Sequence, residues 1–240
     1  MSLTLILSCE HGGNRIPPRY AALFRGAKRA LESHRGYDPG SLELARLLAR
    51  QLRAPLVYST VSRLLIELNR SPGHPRLFSE FSRPLDAAAR EVLMQRYYLP
   101  HRRRVTALVE EALQSGGRVL HVGVHTFAPD FEGARRTADV ALLYDPARRF
   151  ERNVADRWLA ALRRLRPDLE LRRNYPYRGT SDGLTTILRR HFGPRYAGIE
   201  LEVNQSWPQH SAWRELQQDL ADTLPYRSST GTHVRGSGPV

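Results

Sequence analysis

Residues 3–13 read LTLILSCEHGG, an apolar run that ends in polar residues and two glycines. The run Leu3–Cys9 predicts a buried strand, because short apolar runs bounded by turn residues are typical of a sheet interior. Gly12 and Gly13 then allow a tight turn and a close approach of the backbone to a ligand or metal. Three further polar motifs end or follow apolar runs, at residues 62–70, 121–126 and 200–205.

Strand and helix patterns alternate along the rest of the chain. Further strands are predicted at residues 55–59, 64–68, 118–125, 140–144 and 197–203. Helices are predicted at Ser41–Leu52, at 85–114 with an interruption near Pro100, at 150–165 and at Leu184–Phe192. This alternation predicts an α/β fold with a mixed, mostly parallel central sheet that helices cover on both faces. Active-site groups are then expected at the carboxyl ends of the strands, where the polar motifs fall.

Composition predicts one globular domain over residues 1–227. The chain has 240 residues, of which 41% are hydrophobic and 25% charged, as in ordinary globular proteins. Residues 228–240 are small and polar, which predicts a flexible tail. No run is long and apolar enough to span a bilayer, and the N-terminus lacks the pattern of a signal peptide. With Cys9 as its one cysteine, the chain is expected to be cytoplasmic and free of disulfides.

The formal net charge of +13 raises the possibility of nucleic-acid binding. Of the 37 basic residues only Lys28 is a lysine, and the arginines are spread along predicted helices, which favours solvated helix faces. The densest run, His101-Arg102-Arg103-Arg104, is the best candidate for a phosphate-binding patch. A noncatalytic nucleic-acid-binding protein is therefore the less favoured alternative.

Histidines at strand ends are the candidate metal ligands. His11 follows the first strand, whereas His121 and His125 share one face of a later strand. Because each residue of a strand advances roughly 3.3 Å, His121 and His125 lie about 13 Å apart and cannot both bind the ion. His125, at the strand end, is the predicted ligand, and His121 is interpreted as a hydrogen-bonded core histidine.

A third ligand is expected to be a carboxylate, because catalytic zinc is commonly held by two imidazoles and one carboxylate. Glu10 adjoins His11, but neighbouring residues of an extended backbone point to opposite faces. Asp38 precedes the predicted helix Ser41–Leu52 in an N-cap-like position, with Pro39 as the first helical residue. The residues alone leave open whether Asp38 is a ligand or a helix cap.

The ordered motifs resemble those of the N-formylglutamate amidohydrolases in residue identity and spacing, from about Leu3 to Gln205. The segments that carry the resemblance are residues 8–17, 37–40, 62–63, 68–70, 125–127 and 198–205. This family is similar in architecture to zinc carboxypeptidases and aspartoacylases, which implies a phosphorylase/hydrolase-like fold.

The resemblance also implies one Zn²⁺ per chain, held by His11, Asp38 and His125, although such ligands accept other divalent ions. In the distant relatives the carboxylate ligand follows the first histidine closely, at the start of a helix. Asn14 occupies that offset here and is a poor zinc ligand. Asp38 is therefore the expected third ligand, with Glu10 as the alternative.

Glu200 and Glu202 alternate onto one face of the last predicted strand. The resemblance is closest at residues 202–205 and implies that Glu202 is the general base. By the same resemblance, Arg63 polarises the scissile carbonyl, while Asn69 and Arg70 hold a substrate carboxylate. Arg178, in a loop at residues 174–183 that suits a lid, is a second candidate anchor.

Together these expectations describe a metal-dependent amidohydrolase that cleaves a small N-acyl amino acid. The resemblance names N-formyl-L-glutamate as the leading substrate, with formate and L-glutamate as products. A related amidase or carboxypeptidase acting on another acidic amide is the alternative enzyme. The oligomeric state is left open by the sequence, and no membrane partner is expected.

Overall fold

A six-stranded mixed sheet forms the centre of residues 2–226, which are the residues that the computed structural model describes. Its strands are β1 (Leu3–Cys9), β2 (Leu56–Tyr58), β3 (Arg118–Phe127), β6 (Val140–Leu143), β7 (Leu171–Arg173) and β8 (Tyr196–Asn204), and a separate hairpin contains β4 (Asp130–Phe131) and β5 (Ala134–Arg135). The strand order is β2-β1-β3-β8-β6-β7. The first four of these strands run parallel, and β6 is antiparallel to β8. The predicted mixed, mostly parallel sheet is confirmed.

Helices cover both faces of this sheet, as the sequence predicted. They are α1 (Lys28–Leu31), α2 (Ser41–Leu52), α3 (Ala87–Leu93), α4 (Leu99–Gln114), α5 (Arg149–Leu165), α6 (Leu184–Phe192) and α7 (Trp213–Thr223). A π-helical turn, Met94–Tyr98, joins α3 to α4. Helices α2, α5 and α7 share one hydrophobic cluster with the sheet, whereas α4 and α6 pack on the opposite face. Within residues 2–226, no helix has the length and apolar character needed to cross a membrane.

Side-chain alternation along the central strands separates an apolar face from a polar one. In β3, Leu120, Val122 and Val124 belong to the cluster with α2, α5 and α7. The intervening residues His121 and His125 face the side of α4 and α6. The same alternation in β1 and β8 places on that side Ser8, Glu10, Glu200 and Glu202. The polar side chains of β1, β3 and β8 therefore lie on the face of the sheet that α4 and α6 cover, toward the carboxyl ends of these parallel strands.

The predicted strand at residues 64–68 is wrong. This segment forms turns, and its apolar side chains are buried in a second cluster together with Tyr20, Phe24 and Tyr98. A run of mostly apolar residues, four of the five at 64–68, indicates burial but does not identify the backbone conformation. Here packing against the segments around it, rather than a sheet ladder, buries the run.

The predicted interruption near Pro100 takes the form of a π-helical turn, Met94–Tyr98, which separates α3 from α4 just before the proline. Pro100 lies in the first turn of α4, where its missing N–H removes no helical hydrogen bond. The π-helical turn just before it pairs the Leu99 N–H with the Met94 carbonyl, five residues back. The predicted flexible tail at 228–240 falls outside the described residues.

Candidate active site and metal centre

A cleft of ≈ 750 Å³ opens over the carboxyl ends of β1, β3 and β8. Turns that follow each of these strands, and the loops before α2 and α6, bring polar side chains to its walls. The structure brings all eight predicted site residues to this one cleft: His11, Asp38, Arg63, Asn69, Arg70, His125, Arg178 and Glu202.

Two imidazoles and one carboxylate converge at the bottom of the cleft. Asp38 Oδ2 lies 3.1 Å from His11 Nδ1 and 3.0 Å from His125 Nδ1. One donor atom from each residue lies within 4.8 Å of the others, and all three side chains are buried. Two histidines and a carboxylate make a donor set that suits catalytic zinc. These residues fit a divalent metal ion.

Backbone contacts, rather than helix capping, fix the position of Asp38. Its N–H donates to the His11 carbonyl at 2.9 Å, which holds the loop before α2 against the end of β1. The prediction that Asp38 is N-cap-like, with Pro39 as the first helical residue, is wrong, because Gly40 is the N-cap and α2 begins at Ser41. The Asp38 carboxylate caps nothing and faces the two histidines.

Gly40 is required at this turn for two reasons. Its φ of 81° lies in the left-handed region that side chains disfavour. A Cβ at this position would also lie 2.4 Å from Cγ of Pro208. The close packing of residues 38–40 therefore leaves the carboxylate of Asp38 little freedom to move away from the histidines.

Each imidazole has a second buried carboxylate next to its Nε2 atom, on the side away from Asp38. Glu67 forms a hydrogen bond with His11 Nε2, and Glu10 Oε2 lies 3.2 Å from His125 Nε2. A hydrogen-bonded carboxylate such as Glu67 fixes the orientation and tautomer of a metal-binding histidine. Glu10 instead pairs with His125 through charge, because His125 Nε2 has no hydrogen-bond partner among residues 2–226. Glu10, the alternative third ligand, thus lies on the far side of His125 from Asp38. Burial lowers the pKa of both imidazoles, but the surrounding carboxylates outweigh burial and raise both pKa values.

Arg63 connects the carboxylates at the bottom of the cleft. Its guanidinium donates to Glu67 Oε2 at 2.9 and 2.6 Å and to Asp38 Oδ1 at 3.2 Å. Burial alone would raise the pKa of Glu67, but Arg63 and His11 together hold it well below its usual range. Glu67 was missed by sequence reasoning. A charged residue inside an otherwise apolar run was the signal that could have identified it.

Glu202 is a buried carboxyl group in the wall of the cleft, with 5% of its surface exposed. It lies opposite His125 in the ladder between β3 and β8. Within the described residues its Oε2 has no hydrogen-bond partner. Burial, with smaller contributions from Asp38 and Glu200, raises its pKa to about 8, although His125 opposes this shift. A carboxyl group with a free oxygen and a pKa near neutrality can exchange a proton with a reactant.

Asn69 and Arg70 form a turn that is tied to the loop before α6. Asn69 Nδ2 donates to Glu200 Oε1 at 3.3 Å, and its Oδ1 accepts from the Leu184 N–H at 2.8 Å. Arg70 Nη1 donates to the Asp182 carbonyl at 2.5 Å. The two side chains therefore form one wall of the cleft, although the strand expected to place them there is absent.

The loop at residues 174–183 is anchored at Gly179. A Cβ at Gly179 would lie 2.1 Å from the Tyr144 nitrogen, so only glycine fits this contact. Arg189 Nη1 donates to the Gly179 carbonyl at 2.6 Å, which ties the loop to α6. Arg178 next to this anchor is exposed and lines the mouth of the cleft.

His121 lies deeper on the same face of β3 and has no part in the metal cluster. Its Nδ1 is 2.7 Å from the Tyr196 hydroxyl and its Nε2 is 2.8 Å from the Ser8 hydroxyl. Burial lowers its pKa to about 4, so the ring is neutral near pH 7. The interpretation of His121 as a hydrogen-bonded core histidine agrees with these contacts.

The proposed phosphate patch at residues 101–104 needs correction. His101 and Arg102 are 7% and 9% exposed, and both donate hydrogen bonds inside the protein. Only Arg103 and Arg104 of this run are exposed. The run therefore lies in the first turns of α4 with two residues buried and two exposed. His101 and Arg102, the buried pair, cannot contact phosphates.

Comparison with known proteins agrees with the fold and the motifs. The gene product Atu2144 of Agrobacterium tumefaciens is 29% identical, with a TM-score of 0.78 over 92% of this chain and 88% of that one. The N-formylglutamate amidohydrolase of Ralstonia eutropha JMP134 is 21% identical and shares the fold, with a TM-score of 0.69 over 93% and 92% of the two chains. A comparison with curated proteins gave no significant match. The sequence model described as N-formylglutamate amidohydrolase matches residues 3–207, and the chain therefore belongs to this family of amide-hydrolysing enzymes.

Proposed function

We propose that this protein is a metal-dependent amidohydrolase that converts N-formyl-L-glutamate and water into formate and L-glutamate. The observation that carries the proposal is the buried cluster of His11, Asp38 and His125, which lies beside the free carboxyl oxygen of Glu202 in one cleft. Membership of the N-formylglutamate amidohydrolase family supports the choice of substrate.

His11, Asp38 and His125 would hold one Zn²⁺ per chain, and another divalent ion could take its place. When bound, the ion supplies Lewis acidity to a carbonyl oxygen and to a water molecule. The protein's own contribution is to hold the ligands rigidly. Glu67 orients His11 through a hydrogen bond, Glu10 forms an ion pair with His125, and burial of the cluster keeps bulk water away from the imidazoles.

Glu202 is the proposed general base. Its free Oε2 accepts a proton from the attacking water and then donates that proton to the nitrogen of the departing amino acid. Burial raises the pKa of Glu202 above its usual range, and a carboxyl group whose pKa lies closer to the operating pH can both accept a proton and donate it again. The rigid β8 backbone holds Glu202 directly opposite His125.

Arginines supply the recognition of the substrate carboxylates, because the guanidinium fork matches a carboxylate with two parallel hydrogen bonds. Arg70, Arg178 and Asn69 all line the cleft that contains the metal cluster. Arg63 is the proposed group that polarises the scissile carbonyl. The Arg63 side chain is 28% exposed while its guanidinium binds Asp38 and Glu67.

A cytoplasmic location is also part of the proposal. The chain's one cysteine, Cys9, is buried as a free thiol, and burial raises its pKa to about 12. A protein without disulfides suits a reducing compartment.

The decisive experiment compares formate release by wild type, Glu202→Gln and the control Glu110→Gln, which alters an exposed glutamate of α4. With N-formyl-L-glutamate as substrate, wild type and Glu110→Gln should turn over equally. Glu202→Gln should lose about 10²- to 10⁴-fold in kcat, the usual contribution of a general base. N-formyl-L-leucine should be a poor substrate. Efficient hydrolysis of other acidic amides but not of N-formyl-L-glutamate would favour the alternative amidase.

A further inference from the structure

The start of α4 lies directly behind the proposed site. α4 packs against β1 and β3, on the face of the sheet that carries the metal cluster. Successive residues of an α-helix are rotated by about 100°, so two neighbouring side chains can contact different structures. His101 and Arg102 do so, and we name them, together with Tyr98, the α4 wall.

His101 contacts the metal cluster through one intervening residue. Its Nε2 lies 3.1 Å from Glu10 Oε1, and the other oxygen of Glu10 lies 3.2 Å from His125 Nε2. All three side chains are buried. His101 therefore holds in place the carboxylate that forms an ion pair with a proposed metal ligand, His125.

Arg102 contacts the opposite wall of the cleft. Its Nη2 donates to the Arg70 carbonyl at 2.6 Å and to the Leu68 carbonyl at 3.2 Å. The Tyr98 hydroxyl donates to the same Arg70 carbonyl at 2.7 Å, and the Arg102 guanidinium lies 4.6 Å from the centre of the Tyr98 ring. Three hydrogen bonds from the α4 wall thus hold the backbone on both sides of Asn69.

The hydrogen bonds of Arg102 are not surface contacts, because its side chain is buried. Removing a guanidinium from water is unfavourable unless its N–H groups find acceptors. Nη2 of Arg102 finds two acceptors, whereas its Nε finds none among residues 2–226. The acceptors that Arg102 uses belong to the segment that carries Asn69 and Arg70, the proposed substrate anchors. Arg103, one residue further along, is exposed.

We propose that His101 and Arg102 are positioning residues with separate tasks. His101 orients His125 for metal binding through Glu10, whereas Arg102 orients Asn69 and Arg70 for substrate binding. Neither residue touches the reacting atoms. The inference about Arg102 rests on the proposed function, and the inference about His101 requires only that the cluster binds a metal.

The test uses pairs of variants that keep or remove each contact. Glutamine can place an amide N–H where Nε2 of His101 lies, but asparagine is too short, so the pair is His101→Gln and His101→Asn. For Arg102 the pair is Arg102→Lys, which retains a donor, and Arg102→Met, which does not. Arg103→Gln is the matched control. Circular dichroism and thermal unfolding verify that each variant is folded.

Zinc affinity is measured by competition with a chromophoric chelator, and kcat and KM are measured with N-formyl-L-glutamate. His101→Asn should bind zinc about tenfold more weakly, and His101→Gln should regain most of that loss. Arg102→Met should bind zinc as wild type does, with KM raised about tenfold and kcat within about threefold. Arg102→Lys should lie between Arg102→Met and wild type.

Two results would overturn the inference. The first is a folded His101→Asn variant that binds zinc as tightly as Arg103→Gln. The second is an Arg102→Met variant that loses zinc affinity and kcat together, since that would indicate a general structural role. Failure of the proposed function would look different, because wild type would then bind zinc and release no formate, while the zinc comparison at His101 would still be decided.

Discussion

Acidification should lower the free energy of unfolding, because His121 is held neutral inside the sheet. Both ring nitrogens of His121 are engaged, one with the Tyr196 hydroxyl at 2.7 Å and one with the Ser8 hydroxyl at 2.8 Å. A neutral imidazole offers one donor and one acceptor, which these two hydroxyls can match. A protonated ring would need two acceptors and would bury a charge.

The size and sign of the effect follow from the pKa of His121. Burial lowers this pKa from 6.5 to about 4 in the folded protein. Between these two values the unfolded chain binds more protons than the folded one, so stability falls as the pH falls. A fall of the pKa from 6.5 to about 4 corresponds to about 3 kcal/mol, since a tenfold change in proton affinity is worth about 1.4 kcal/mol. This stabilisation is complete above pH 6.5 and is lost by about pH 4.

The assay is urea unfolding of chelator-treated wild type and His121→Gln at several pH values from 7 to 4. Glutamine offers a donor and an acceptor but does not titrate in this range. All other titrating groups are shared, so they cancel in the difference between the two proteins. The advantage of wild type should shrink by about 3 kcal/mol between pH 7 and 4. Parallel stability curves would refute the reasoning.

Three further predictions concern the site. Glu67→Gln removes the charge behind His11 and should weaken zinc binding by about 10- to 100-fold, as chelator competition can measure; unchanged affinity would contradict the role of Glu67. Arg178→Gln should raise KM for N-formyl-L-glutamate by about tenfold and leave zinc content unchanged, since a charge-assisted hydrogen bond contributes about 1.5–3 kcal/mol; an unaltered KM would exclude Arg178 as an anchor. Gly179→Ala forces a Cβ against Tyr144 and should lower stability by about 1–3 kcal/mol in thermal or urea unfolding, whereas a wild-type melting curve would show that the loop can move aside.

Local patterns predicted those elements whose ends are marked by turn residues. The bounds of β1, α2 and α6 agree with the prediction, since each has a clear apolar period next to glycine or polar turn residues. Helix α7 was not predicted, although Trp213, Leu216 and Leu220 have helical spacing and are buried. Strand β7 has three residues, two of them exposed arginines, which is too short for a periodicity to show.

The site residues could be predicted because parallel strands bring their ends to one edge of the sheet. The supporting residues could not be predicted in this way. Glu67 meets His11 across 56 positions of sequence, through a turn that was mistaken for a strand. The burial of His101 and Arg102 depends on how α4 packs over the sheet, which local periodicity does not report.

The most direct test of the central claim is the metal content of freshly purified protein, measured by elemental analysis together with formate release from N-formyl-L-glutamate. Wild type should contain about one zinc per chain. His125→Ala should lose both the zinc and the activity, because the two proposed ligands that remain cannot hold the ion tightly by themselves. Wild type that contains no metal, does not respond to added zinc and still releases formate would contradict the account.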